Sequence, residues 1–368
     1  MEEPELDGLL EKAEHEEIRG AWRSRSGLRA IVAIHSTALG PSLGGTRFRP
    51  YETVADALAD VLRLSQAMSY KAAMAGLDLG GGKAVIIGSP ARLRSPALWE
   101  DYAAFLDGFG GRYYTAEDVG TTQADMDEIG RHTSYVTGRS VEAGGSGDPS
   151  PVTAYGVLRA MQATVRSLFA AESLEGRTIA ISGVGKVGHT LAELAAAEGA
   201  KVVVGDIDAT AARRAAELTG ATVVPVGEVH RTRCDIFAPC ALGGALDEST
   251  VAELACEAVV GAANNQLASP EMADRLHDRG IAYVPDYVAN AGGIINIAYE
   301  RGRPYDPEAA RAHVGRIYDT VLALFNDAAS TGETLEVIAE RTAKQRIAAA
   351  RVATTPGEGA GAAGARPA

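Results

Sequence analysis

Between Thr178 and Asn290, six short apolar runs (TIAISGVG, KVVVGDID, TVVPV, CDIFAPCA, AVVGAANN and AYVPDYVAN) are separated by stretches of helical character. Strands that alternate with helices pair in parallel through right-handed crossovers, so this half of the chain is expected to form a doubly wound sheet with helices on both faces. Ligands of such sheets bind where the strands end at their carboxyl side. Those ends carry Gly183, Asp206, Pro239 to Ala241, Asn264, Asn265 and Asn290, turn-formers and polar groups that purely structural loops would not require.

The first run leads into GVGKVG, Gly183 to Gly188, and then into the helical stretch HTLAELAAAEGA. A G-x-G-x-x-G string alone is weak evidence, but between a strand and a helix each position has a task. Gly183 makes the turn, Gly185 admits a pyrophosphate and Gly188 packs helix on strand. Val184, Lys186 and Val187 complete the helix N-terminus, which supplies N–H donors and positive dipole. Asp206 ends the next run, 23 residues after Gly183. It is expected to accept from the adenosine ribose 2′-OH and to repel a 2′-phosphate, which favours NAD over NADP; a helix N-cap is the structural alternative for the same residue.

The other constraining stretch is SYKAAMAGLDLGGGKA, Ser69 to Ala84, which puts Lys71 and Lys83 on either side of what reads as a glycine-rich turn. Two ammonium groups at ~4 Å repel by on the order of 4 kcal/mol at an effective dielectric of ~20, enough to push one towards the neutral form. A helix C-cap followed by a strand with a solvated lysine fits the same residues. Walker A does not, because Leu77 and Ala84 stand where it needs Gly and Ser/Thr. Around this stretch, LRAIVAIHS (28–36) reads as a buried strand, and Gly44 and Gly45 in GPSLGGTRFRP as a close-backbone site. Val54, Leu58, Val61, Leu62 and Met68 recur at helical spacing, so Thr53 caps a helix that ends at Lys71. Residues 83–88 and 112–120 read as strands, the second with Glu117 and Asp118 at its exit, where a carboxylate could face the lysines. Residues 1–27 read as an amphipathic helix and a loop.

A chain of 368 residues exceeds one typical core, and two domains are expected. GRSVEAGGSGDPSP (138–151) is linker-like, which gives a first domain over 1–140 and a second over 141–324. Helices at about 325–352, within a helical stretch striped by Ile317, Val321, Leu324 and Phe325, are expected to return to the first domain. Residues 353–368 read as a disordered tail. The net charge of −13, without basic runs, argues against nucleic acid and anionic membrane as partners. No apolar run approaches the ~20 residues of a membrane helix. The odd cysteine count and the acidic opening MEEPELDGLL predict a cytoplasmic, disulfide-free protein. Neither the three cysteines nor the seven histidines show ligand spacing, so no metal is expected, and Cys240 reads as a small apolar wall near the cofactor.

Six segments in order, SYKAAMAGLDLGGGKA, TAEDVGTTQADMD, GVGKVG, CDIFAPCALGGAL, GAANNQLA and PDYVANAGGIIN, resemble the Glu/Leu/Phe/Val amino-acid dehydrogenases, and the similarity runs from about Gly27 to Arg351. IVAIHSTALGPSLGGTRF and GAANNQLA are closest to actinomycete valine and leucine dehydrogenases. The resemblance implies an α/β fold of two domains, an N-terminal substrate and oligomerisation domain and a Rossmann-type NAD domain, with the active site in the cleft. It implies that Lys71 binds the substrate α-carboxylate, that Lys83 is catalytic and that Asp118 handles protons at the substrate nitrogen. Gly45 and Met68 would line the pocket, Thr153 and Asn265 would contact cofactor or substrate, and Asn290 would sit by the nicotinamide. Glutamate-specific members carry lysine in a PxKGG element; here that element is Pro41-Ser42-Leu43-Gly44-Gly45, so Leu43 is expected to face the end of the substrate side chain, with Val288 and Ile294 setting pocket depth.

The implied reaction is reversible NAD-dependent oxidative deamination of a branched-chain L-amino acid to its 2-oxo acid and ammonia, by a homo-oligomer. Its acid–base steps call for groups titrating near neutrality, expected from the paired lysines and a desolvated Asp118. Phenylalanine or another aromatic amino acid is the alternative substrate. From a different class, an inert NAD-binding regulator is the alternative, and Lys71, Lys83 and Asp118 argue against it.

Overall fold

The computed structural model describes residues 13–302 and 304–354, together with Gly8 and Leu10. Most of the expected tail therefore lies outside the described residues; the last helix runs through Thr354, two residues into it.

The first sheet has the order β1-β2-β4-β3-β5, formed by Glu17–Arg23, Leu28–Ser36, Gly80–Ile87, Ser42–Arg49 and Tyr113–Glu117. β1 and β4 run antiparallel to β2, whereas β3 runs parallel to both β4 and β5. Strand alternation sends Ile31 and Ala33 to one face and Val32 and Ile34 to the other, and both faces are covered. The Val54–Met74 helix packs Ala57, Leu58, Val61 and Leu62 on the first face, and the Pro96–Asp107 helix packs Leu98, Trp99, Tyr102 and Leu106 on the second. A sheet buried on both sides explains why residues 30–34 of LRAIVAIHS are apolar without a break.

Two local expectations are corrected. Residues 17–23 form the edge strand β1 and not part of an amphipathic helix or loop. Gly80 to Gly82 are strand and not turn: β4 starts at Gly80, and its glycines are there because neighbours leave no room. A Cβ on Gly81 would stand 2.0 Å from the Ser69 backbone nitrogen, and one on Gly82 would stand 2.8 Å from the Tyr113 ring. Thr53 does cap the long helix, in a reciprocal capping box with Asp56, and the helix carries Lys71 in its last turn.

The second sheet is parallel throughout, with order β11-β10-β9-β6-β7-β8. Its strands are β6 (Thr178–Ser182), β7 (Lys201–Gly205), β8 (Thr222–Val223), β9 (Cys234–Pro239), β10 (Cys256–Val259) and β11 (Ala282–Tyr283). The order reverses between β6 and β9, which places a crevice beside the Gly183 turn. The Ser150–Phe169 helix links the two sheets. From the Leu335–Thr354 helix, Arg346 donates to the carbonyls of Ala73 at 2.6 Å and Leu77 at 2.9 Å, and from the Pro307–Gly315 helix His313 Nε2 lies 2.8 Å from the carbonyl of Ala75. All three cysteines are free. Among the described residues, no helix is long and apolar enough to cross a membrane and no cluster of potential ligands could hold a metal ion.

Candidate active site

A cavity of about 340 Å³ lies between the two sheets. From the first sheet it is lined by Gly45 on β3, Lys83 on β4 and Asp118 just past β5, with Met68 and Lys71 from the long helix. From the other side come Thr153, Val187, Asn265, Asn290 and Ile294. Lys83 is 6 % exposed, and its Nζ is 3.2 Å from Asp118 Oδ2. Gly45 permits the approach: a Cβ there would lie 2.8 Å from that of Asp118.

Across the cleft, Lys71 Nζ donates to Asn264 Oδ1 at 3.3 Å, and Asn290 Nδ2 donates to the same oxygen at 2.9 Å. Asn265 adopts a left-handed backbone, φ 52°, uncommon for a residue with a side chain. Its Oδ1 accepts from Arg63 Nη1 at 3.3 Å.

The electrostatics depart from the expectation in the main cause of one shift and in the direction of another. Lys71 is the lysine whose pKa falls, to about 8; burial is the main cause and Lys83 a lesser one, while Asp286 and Asp118 pull it upward. Asp118 is not raised towards neutrality. Burial opposes its ionisation, but Lys83 and Arg47 together outweigh burial and hold it below the usual carboxylate range. Asp286, by contrast, is raised by burial.

Two expected pocket residues are elsewhere. Leu43 is 0 % exposed and does not line the cavity: alternation along β3 gives it the face of Gly45 and Arg47, but it lies deeper, in the hydrophobic core that includes Ala72, Leu77 and Leu79. Val288 is 2 % exposed and also core. Sequence reading missed the residues that do form the apolar wall beside Met68 and Ile294, namely Leu64, Ala116 and Ile297. Ile297 was within reach, three residues after Ile294 on a helical segment. Arg47, also missed, lines the cavity as well.

The glycine-rich turn suits a dinucleotide. Gly183 has φ 96°, and a Cβ on Gly188 would stand 2.0 Å from the Gly183 carbonyl oxygen, whereas one on Gly185 would meet nothing within 4 Å. That open side leaves backbone N–H groups approachable by phosphate. A Cβ on Gly183 would lie 2.6 Å from that of Ala241, which borders the turn with Cys240; burial pushes the Cys240 thiol up to about 12, so it is an inert wall. Lys186 Nζ pairs with Asp148 at 2.9 Å. Asp206 closes β7 and accepts from the backbone of Val184 at 2.7 Å and Asp208 at 2.8 Å, which fixes its carboxylate beside the turn. The helix N-cap considered for it is Asp208 instead. Asn290 Oδ1 is buried without a hydrogen-bond partner among the described residues, an acceptor suited to a carboxamide N–H at the cavity wall.

A doubly wound parallel sheet with this turn, facing a cleft that holds two lysines and a carboxylate, defines a pyridine-nucleotide-dependent oxidoreductase. The chain belongs to the Glu/Leu/Phe/Val dehydrogenase family and is an amino-acid dehydrogenase: residues 14–135 match the family's dimerisation domain, and residues 144–212 and 207–355 match the glutamate/leucine/phenylalanine/valine dehydrogenase domain. It is 46 % identical over 352 residues to a leucine dehydrogenase of Geobacillus stearothermophilus, covering 96 % of each chain. It is 50 % identical over 341 residues to a valine dehydrogenase of Streptomyces coelicolor, covering 92 % of this chain and 93 % of the relative. The crystal structure of L-tryptophan dehydrogenase from Nostoc punctiforme is similar with a TM-score of 0.83 at 39 % identity, over 94 % of this chain and 99 % of that one.

Proposed function

We propose that the protein catalyses reversible NAD-dependent oxidative deamination of a branched-chain L-amino acid, giving the 2-oxo acid and ammonia. The observation that carries this reading is the convergence of Lys71, Lys83 and Asp118 on one cavity in which Leu64, Met68, Ile294 and Ile297 form an apolar part of the wall. The valine and leucine dehydrogenase relatives support the same side-chain class.

In this reading residues 1–140, joined by the helices of 325–352, hold substrate and subunit contacts, and residues 141–324 hold NAD. Lys71 binds the α-carboxylate and Asp118 accepts a proton from the amine. The nicotinamide, when bound, supplies the acceptor for the hydride leaving Cα. Lys83 activates the water, whose oxygen bonds to the imine carbon as one proton passes to solvent; Asp118 then returns a proton to the nitrogen, and the hydroxyl proton passes to solvent as the C–N bond breaks and ammonia departs from the carbinolamine. Thr153, Asn265 and Asn290 orient substrate and cofactor. Arg47 and Lys83 are already paired with carboxylates and Lys71 is taken by the α-carboxylate, so a glutamate side-chain carboxylate would be desolvated without a partner, at a cost of several kcal/mol. NAD is favoured over NADP by the anionic Asp206 beside the turn. The outer edge of β1, unpaired among the described residues, and the match to a dimerisation domain support a homo-oligomer.

An aromatic substrate is the second reading, favoured by the similarity to a tryptophan dehydrogenase. Initial rates of NADH formation with valine, leucine, isoleucine and phenylalanine test the proposal. Branched-chain substrates are expected to lead; phenylalanine in first place would replace them.

A further inference from the structure

Arg47 lies on β3, two residues past Gly45, and its guanidinium spans two carboxylates. Its Nε is 3.0 Å from Asp118 Oδ2, the oxygen that Lys83 Nζ also approaches. Its Nη1 lies 3.0 Å from Asp60 Oδ2 and 3.3 Å from Asp60 Oδ1. Asp60 is itself fixed, accepting from Tyr51 OH at 2.8 Å and from Arg63 Nη2 at 2.9 Å. A planar fork with donors on two edges can bridge in this way, whereas a lysine ammonium is a point charge. Both cations approach Oδ2, and among the described residues no side chain donates a hydrogen bond to Asp118 Oδ1.

We propose that Arg47, anchored by Asp60, is the positioning residue for Asp118: it holds the carboxylate ionised through Oδ2 and leaves Oδ1 to exchange protons with the substrate nitrogen. This assignment rests on the deamination reading. The charged and titratable groups around Asp118 are Lys83 on β4, Arg47 on β3, Lys71 on the long helix, and Tyr113 and Glu117 on β5, with Asp60 and Asp286 acting through Arg47 and Lys71. Burial alone would raise the Asp118 pKa, and removing one of its two cations lets burial gain ground.

The test uses the full-length enzyme and the amino acid that the parent turns over fastest. kcat/KM of Arg47→Gln and Arg47→Lys is measured from about pH 5.5 to about pH 8.5 and expressed as a ratio to the parent at each pH, so that ionisations common to both largely cancel. The ratio for Arg47→Gln is expected to fall at least about fivefold from the alkaline to the acidic end, as Asp118 becomes protonated in the variant. For Arg47→Lys, which keeps the charge, the ratio should be flat, with kcat about tenfold lower because an ammonium cannot bridge both carboxylates. NADH titration reports whether each variant is folded. If Arg47→Gln does not fold, Arg47→Lys decides alone, and parental kcat overturns the assignment. A flat ratio for Arg47→Gln also overturns it, since a purely structural loss lowers activity equally at every pH, as does an equal fall in both variants. A parent that reduces NAD with no amino acid sinks the deamination reading and this assignment together; an active parent with a flat ratio sinks the assignment alone.

Discussion

Lys71 Nζ and Asn264 Oδ1 lie 3.3 Å apart across the cleft, so the proposed carboxylate-binding lysine is held from the cofactor side of the molecule. Burial lowers its pKa to about 8, and it must be charged to bind an anion. Below that pH the ammonium is present and KM for a 2-oxo acid in reductive amination should be level. Above it the ammonium is lost, and KM should rise by about tenfold per pH unit with little change in kcat. Steady-state kinetics from about pH 6 to about pH 10 check this, and a KM that stays level throughout would remove Lys71 from carboxylate binding.

Lys83→Ala is expected to lower kcat by at least about a thousandfold. NADH affinity should change by no more than about twofold, because Lys83 belongs to the first sheet and the glycine-rich turn to the second. Single-turnover rates with fluorescence titration of NADH separate the two effects. Activity within about tenfold of the parent would take Lys83 out of the chemistry.

Asp206→Ser combined with Ile207→Arg should narrow the preference for NAD over NADP. Ile207 is 91 % exposed beside Asp206, so an arginine there costs little packing and supplies a cation for a 2′-phosphate. The change also removes an acceptor for the Val184 and Asp208 N–H groups, so NAD affinity should drop as well. Parental kcat/KM measured with both nucleotides sets the baseline, and a parent that uses both equally contradicts the assignment.

The lysines, Asp118 and the glycine-rich turn were legible because their chemistry is carried by short contiguous segments with fixed spacing. Arg47 was not, since its partner Asp118 is brought to it only by the parallel pairing of β3 with β5, and Asp60 only by the packing of the long helix. Leu43 was misplaced for a similar reason. That it shares a face with Gly45 could be counted, but how far along β3 the cavity reaches depends on how the Val54–Met74 helix packs, whose Ala72 and Ala73 share its core cluster. β1 was misread because the charged residues of EIRGAWR carry no apolar period strong enough to separate an edge strand from a helix.

The pocket correction changes what substitutions should do. Leu43→Lys buries an unpaired ammonium in the core, so it should lower Tm sharply and give no gain with glutamate. Ile297→Ala, on the cavity wall, should leave Tm nearly unchanged while raising the phenylalanine-to-leucine ratio of kcat/KM about tenfold. Thermal melts and competing-substrate rates distinguish the two, and a stable, glutamate-active Leu43→Lys would return Leu43 to the pocket.

The most direct measurement is kcat/KM for NADH formation by the unmodified protein with valine, leucine and glutamate, at one pH and saturating NAD. Leucine and valine gain by burying methyl groups against Met68, Ile294 and Ile297, at ~0.8 kcal/mol per CH₂, whereas glutamate loses the hydration of its side-chain carboxylate without a partner. A difference of several kcal/mol corresponds to a preference of about a thousandfold or more for the better branched-chain substrate over glutamate. Turnover of glutamate as efficient as that of valine and leucine would contradict the apolar-pocket account.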